Sequence, residues 1–285
     1  LFPISTISRI YSAEGKIIDE FAKERRLFTP ANQIPDLIKN AFISAEDKNF
    51  YEHPGYDMRG ILAALVDAVQ SRGKRIRGAS TITQQVMKNF LLDRSRRAER
   101  KVKEIILATR IERSLTKEQI LELYLNEIFL GQNSYGVTAA SQTYFNKTLD
   151  ELAPHEAAFL AALPKAPSDY HPVREKERLL ERRNYVLREM FQNGYLPKRI
   201  YEYELTQPIK SVQGRDYTGF RSRLPSRNYF TDEIRRQLSG TFGEEEFFTG
   251  GLTVRSTFDP ILQQKAALAL QRGLQQYDRK QGIWR

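Results

Sequence analysis

The chain has 285 residues, 40% hydrophobic and 28% charged, enough apolar material for one large domain or two ordinary ones and too much for wholesale disorder. It has no cysteine, which excludes disulfide scaffolds, thiol catalysis, iron–sulfur clusters and cysteine-type zinc sites, and its three histidines, His53, His155 and His171, are too scattered for a histidine-rich metal centre. The formal charge is +10, and residues 71–103 carry eleven Lys or Arg against two acids, so the excess is local and points to an anionic partner, with a solvated basic face as the plainer alternative.

Residues 5–27 alternate apolar and polar around Glu14-Gly15, which predicts two short strands and a turn. From Pro35 the period changes: Leu37, Ile38, Ala41, Phe42 and Ala45 recur at three and four residues and predict a helix. Residues 58–70 are largely apolar, broken by Asp67, and the basic, glycine-punctuated stretch Ser71–Arg77 follows. Further helices are predicted over 80–92, 95–112, 116–130, 154–163 and 175–193. Thr81 with Gln84, and Thr116 with Gln119, fit capping boxes, and Gly194 fits a helix stop. After residue 205 Pro208, Gly214, Gly219 and Pro225 interrupt the pattern; residues 252–257 read as a strand and a last helix runs from Pro260 to about Tyr277. The expected division is an extended, hairpin-like lead-in over 1–35, a helical domain over 36–205, and a linker with the start of another region over 206–285. The longest clean apolar run, Ala157–Leu163, is far short of the ~18–20 residues that cross a bilayer, and no signal peptide opens the chain. With Leu1 and Arg285 in mid-pattern, the chain reads as a piece of something longer.

Several residues could carry chemistry. Glu46 continues the Ile38–Phe42 stripe at a spacing of four, and Asp47 adjoins it; burial and a like charge both raise a carboxyl pKa, as a general base near neutrality requires, but a helix-end acid turned to solvent fits the period equally well. Glu122 lies about 200° from Ile120 on its helix, so periodicity alone makes it a surface residue. The stretch Gly78–Gln85 offers five uncharged polar side chains at a helix start, suited to sugar hydroxyls and anions or to nothing more than a cap. Arg94, Arg96, Arg97 and Arg100 crowd the N-terminal end of the helix from Ser95, where cations oppose the macrodipole by a few tenths of a kcal/mol each. A pyrophosphate ligand would offset that cost. Ser114-Leu115-Thr116-Lys117 matches S-x-x-K, but no K-T-G follows and acyl-serine chemistry is rejected.

Taken together, these segments resemble the peptidoglycan glycosyltransferases (family 51) of bifunctional class A penicillin-binding proteins. Glu46–Gly55 is similar to E-D-x-x-F-x-x-H-x-G, Gly78–Gln85 to G-x-S-T-I-T-Q-Q, Arg100–Glu104 to R-K-x-x-E, Lys117–Asn126 to K-x-x-I-L-E-x-Y-L-N, and Arg182–Leu187 to R-R-x-x-V-L. Ala79 stands where a second glycine is usual, and Ala63 where many members carry arginine. Ser8–Tyr11 and Gly250–Pro260 resemble the segments that bracket this domain.

The resemblance implies a mainly α, lysozyme-like, two-lobed domain that polymerises lipid II into β-1,4-linked glycan with loss of undecaprenyl pyrophosphate. Its second lobe would touch the bilayer, with Ile61–Val69 as the candidate. Glu46 would be the general base on the acceptor 4-hydroxyl. Glu122 would assist at the donor, directly or through a divalent ion, magnesium or manganese; no cofactor is otherwise required. Lys88, Arg96, Arg100, Lys101 and Lys103 would neutralise the pyrophosphate, and Ser80, Thr81, Gln84 and Gln85 would hold sugar and phosphate oxygens. Asp47, Phe50, His53, Gly55, Glu104, Tyr124 and Asn126 are also placed at the substrate. The expected partners are lipid II, the growing glycan and the outer face of the bacterial cytoplasmic membrane, not nucleic acid, with a transmembrane anchor and a transpeptidase domain in the parent chain. A lysozyme-like hydrolase with the same two carboxylates, or a non-catalytic basic module with a steep salt dependence, are the alternatives.

Overall fold

The structure is a computed structural model that describes residues 8–21, 25–58, 80–91, 97–219 and 229–282. The chain is mainly helical and divides into two compact units, one formed by residues 25–220 and the other by residues 1–24 with 221–285.

The larger unit is built from eight described helices. Helix α1 (Asp36–Glu46) starts after Pro35, whose missing N–H costs nothing at a helix entrance, and buries Ile38, Ala41 and Phe42 on one face. Helices α2 (Ile82–Leu91), α3 (Arg97–Glu112) and α4 (Lys117–Glu127) follow. Thr116 caps α4 with both halves of the expected box, accepting from Gln119 N at 3.3 Å while its own N–H donates to Gln119 Oε1 at 2.9 Å. Thr81 caps α2 by accepting from Gln84 N at 3.1 Å. The Gln84 side chain does not complete that box, because Lys101 draws its oxygen away.

Helices α5 (Val137–Phe145), α6 (Pro154–Ala162), α7 (Lys176–Gln192) and α8 (Lys198–Leu205) complete the unit. Seven consecutive residues of α6, Glu156–Ala162, are buried. Such a helix has no polar face to give to water, so it forms the axis against which α1 and α7 pack. Gly194 ends α7 with φ +80°, and Tyr195 N returns to Met190 O at 2.9 Å, a left-handed stop that glycine makes easily.

The unit boundaries differ from the sequence expectation in two places. Residues 206–219 pack within the larger unit: the buried Arg183 donates to Gln207 O at 2.5 Å, Val212 N to Tyr144 O at 2.7 Å, and Tyr217 Oη to Glu156 at 3.0 Å. At the other end, residues 25–33 also belong here. Arg25–Arg26 pairs in parallel with Ser134–Tyr135, and the Asn126 side-chain amide both accepts from Thr29 N and donates to Thr29 O. Each contact joins residues too distant in the chain for local periodicity to register.

Gly136, next to that clamp, has φ +78°, and a Cβ there would lie 2.5 Å from Asn126 O. Gly136→Ala is expected to cost about 2–3 kcal/mol from backbone strain and crowding. A urea midpoint equal to that of the parent chain would show that the turn adapts freely.

In the smaller unit Ser8–Tyr11 pairs antiparallel with Ile17–Phe21, as the alternation suggests, and in parallel with Thr253–Arg255. Helices α9 (Tyr229–Phe242), α10 (Glu244–Thr249) and α11 (Pro260–Lys280) accompany this sheet, with a core of Ile10, Ile18, Phe21, Phe247 and Phe258. The expected second-lobe stretch Ile61–Val69 and the basic stretch Ser71–Arg77 lie outside the described residues.

Candidate active site

The two acids at the end of α1 turn to different tasks. Glu46 is the last residue of the helix and its side chain is 13% exposed. One oxygen, Oε2, accepts from Gln85 Nε2 at 2.9 Å, and Oε1 lies 3.8 Å from the Arg182 guanidinium. Burial raises its pKa above the ordinary carboxylate value. The Gln85 hydrogen bond and the charges of Arg182 and Lys165 oppose that shift without cancelling it, and Asp47 adds to it. Glu46 is therefore an acid reluctant to ionise, as the stripe Ile38–Phe42–Glu46 suggested and the solvent-facing alternative did not.

Asp47 serves the frame. Its carboxylate accepts from Ile82 N, the first residue of α2, at 2.9 Å and from His53 Nε2 at 2.9 Å. His53 Nδ1 accepts from Gly55 N at 3.2 Å, so the proton sits on Nε2. Gly55 has φ +98°, and a Cβ on it would meet the Ala108 backbone at 2.8 Å; glycine lets α3 approach this loop. Gly55 O in turn accepts from Thr81 Oγ1 at 2.8 Å. Phe50 is fully buried with Lys117 Nζ 4.6 Å from its ring centroid, and that amine also donates to His53 O and Glu112, both at 2.7 Å. Asp47, Phe50, His53, Gly55 and Thr81 thus lock the loop after α1 onto the start of α2.

Beside them Lys101 Nζ donates to Ser80 Oγ at 2.7 Å, Gln84 Oε1 at 2.9 Å and Glu104 at 3.1 Å. This cluster joins the second and third sequence motifs. Gln84 and Glu104 are buried, whereas Lys88 and Lys103 are exposed. Arg100 lies on the first turn of α3; Arg96 and Arg94 lie outside the described residues.

On α4, Glu122 is half-buried and its Oε2 accepts from Ala31 N at 2.6 Å. It is not the free surface acid that periodicity suggested, because residues 29–33 cover that side of the helix. Asn126 is buried and both ends of its amide serve Thr29, so its visible role is structural. Tyr124 is 1% exposed and packed edge-on against Phe42, not at a surface a substrate could reach. Among the described residues no three His, Cys, Asp or Glu side chains gather as a metal cage.

A cavity of about 340 Å³ opens beside Gln85. Gln85, Lys88 and Asn89 of α2 line one wall, and Arg26, Phe129 and Tyr135 another. Gln85 therefore touches the cavity and Glu46 at once. Arg26 pairs with Glu127 and its guanidinium lies 4.0 Å from the Tyr135 ring centroid. Sequence reading missed Arg26, Lys165 and the contact of Arg182 with Glu46. Arg182 stood in a quoted motif, but nothing local aims it at a carboxylate 136 positions earlier in the chain.

A family model described as transglycosylase matches residues 14–191. The chain is 45% identical over 284 residues to penicillin-binding protein 1A of Rickettsia felis, a match that covers 98% of this chain and 35% of that protein. It is 40% identical over 274 residues to penicillin-binding protein 1A of Escherichia coli K12, covering 96% of this chain and 31% of the other. The crystal structure of penicillin-binding protein 1A from Haemophilus influenzae is similar with a TM-score of 0.51 at 31% identity, over 89% of this chain and 27% of that one. The chain spans about a third of the length of these relatives.

Proposed function

The chain belongs to the transglycosylase family, and from that premise we propose that it is a peptidoglycan glycosyltransferase that extends a glycan strand with lipid II. The observation that carries this reading is Glu46: a buried carboxyl with a raised pKa, hydrogen-bonded to a side chain that also lines a cavity containing Lys88. Such an acid binds a proton more readily than an exposed one, as a base acting on a hydroxyl must.

In the proposed reaction the acceptor 4-hydroxyl oxygen attacks the anomeric carbon of the donor. Its proton passes to the Glu46 carboxylate, the new C–O bond forms, and the bond to the pyrophosphate oxygen breaks with its electron pair. A single displacement inverts α to β. The developing negative charge on the leaving group is met by Lys88, Lys103 and the Lys101 cluster, with Arg96 and Arg100 proposed alongside them. Glu122 orients the donor, directly or by holding a divalent ion, magnesium or manganese, that would help neutralise the pyrophosphate. The site of action is proposed to be the outer face of the cytoplasmic membrane, where such a lipid-linked substrate is presented. Among the described residues no helix is long and apolar enough to cross a membrane. On this reading the anchor and the transpeptidase region belong to a longer parent chain.

Incubation with labelled lipid II in detergent, with products separated on a gel, tests the reading. A ladder of growing glycan with release of undecaprenyl pyrophosphate is expected. Shortening of preformed glycan without any ladder would identify a hydrolase instead.

A further inference from the structure

Tyr124 carries a buried hydroxyl that finds no hydrogen-bond partner among the described residues. The residue sits on α4 with its ring edge-on to Phe42, centroids 6.1 Å apart and planes at 75°. Phe42 and Glu46 are four residues apart on α1 and so share a face of that helix. The Glu46 and Asp47 charges both act on the hydroxyl and, after burial itself, keep it protonated well beyond its ordinary range. It therefore stays a donor, close enough to the end of α1 for both carboxylates there to act on it. Glu46 has a matching opening: Gln85 serves Oε2, while among the described residues Oε1 accepts no hydrogen bond, the Arg182 guanidinium standing 3.8 Å off and beyond hydrogen-bonding reach.

We propose that Tyr124 is a positioning residue for the Glu46 carboxylate, its hydroxyl donating through one bridging water to the oxygen that Gln85 leaves open. This rests on the reading of Glu46 as the base. A phenylalanine would fill the same volume without burying an idle hydroxyl, so the oxygen is a cost unless it is used. A donor behind the carboxylate favours its charged form and fixes which lone pair faces the acceptor. It works with the cations Arg182 and Lys165 against burial and the adjacent Asp47, the other charged groups that act on Glu46. Tyr124 touches no substrate in this role, because its hydroxyl is closed off from solvent.

The test is Tyr124→Phe in the intact chain, with two readouts. Carbon-13 carboxyl titration of Glu46, assigned by its disappearance in Glu46→Gln, is expected to move to higher pH by roughly half a unit to one. The acidic limb of the kcat profile for lipid II polymerisation is expected to move with it, lowering kcat about 3–10-fold near that limb at unchanged KM. Phenylalanine keeps the ring against Phe42, so the melting temperature should not fall. Replacement of Tyr124 by difluorotyrosine, a stronger donor, should move the carboxyl titration the other way. A Glu46 titration that stays put in both variants overturns the proposal. A titration that moves while the unmodified chain never polymerises lipid II would leave the positioning intact and remove the function assigned to Glu46.

Discussion

Glu46→Gln is expected to lose about 10²–10⁴-fold in lipid II polymerisation while making the protein harder to unfold at neutral pH. Glutamine keeps the size of the side chain and an acceptor oxygen for Gln85, so the cavity wall is preserved, but it cannot take a proton. The stability gain follows from linkage. The folded-state pKa of Glu46 is raised, chiefly by burial, above the 4.5 of an exposed glutamate. The folded state therefore holds this proton more tightly than the unfolded chain does. Its contribution to stability is complete below about pH 4.5 and is lost as pH rises through the folded-state value. At pH 7–8 the wild type carries a buried charge that the variant lacks. The variant should melt higher there, by roughly 2–4 °C for each kcal/mol relieved in a unit of this size, with the difference closing in acid. Thermal melts at pH 4 and pH 8 beside the gel assay give both numbers. More than a few per cent of wild-type polymerisation in a folded variant would remove Glu46 from the chemistry. Loss of stability at pH 8 would mean that the attraction of Arg182 and Lys165 outweighs burial.

Where apolar residues form one stripe, the helices are legible from spacing alone: α1, α2, α3, α4, α6 and α7 stand close to where the period of 3.6 puts them. Helix α5 gives little such signal because its two sides differ weakly in polarity: the half-buried side carries uncharged Thr138, Gln142 and Thr143, and the buried side mixes Ser141 with Val137, Ala140, Tyr144 and Phe145. The chemistry divides similarly. The carboxylate stripe ending at Glu46 is a local pattern, and its burial could be argued from the sequence. The placement of Glu122 under residues 29–33, of Arg182 against Glu46, and of Arg26 across from Lys88 depends on contacts between distant segments, which no window of sequence contains. The awkward cations near Ser95 were legible as a cost. The structure adds that Lys101, a little further along that helix, joins Ser80, Gln84 and Glu104 into one cluster.

Asp47 gives the largest expected loss of stability and separates frame from chemistry within one pair of neighbours. Its carboxylate is buried and accepts from two donors that have no other way out of the interior, the Ile82 amide and His53 Nε2. The first opens α2, the helix that carries Gln84, Gln85 and Lys88; the second closes the loop through Gly55. Asp47→Ala removes both acceptors at once. Each orphaned buried donor costs about 1–3 kcal/mol, and the emptied volume adds to this, so a loss of roughly 3–5 kcal/mol is expected. Asp47→Asn should cost less, since its amide retains one acceptor oxygen, but one donor then meets an NH₂ group. Activity should fall in both variants in step with the fraction unfolded, and the acidic limb of the rate profile should stay near its wild-type position in the folded part, because Asp47 is the smallest of the named influences on Glu46. Urea unfolding of the two variants, read against polymerisation at the same temperature, decides the matter. An Asp47→Asn protein of wild-type stability that is nonetheless inactive would place this carboxylate in the reaction, and the division of labour between the two acids would have to be redrawn.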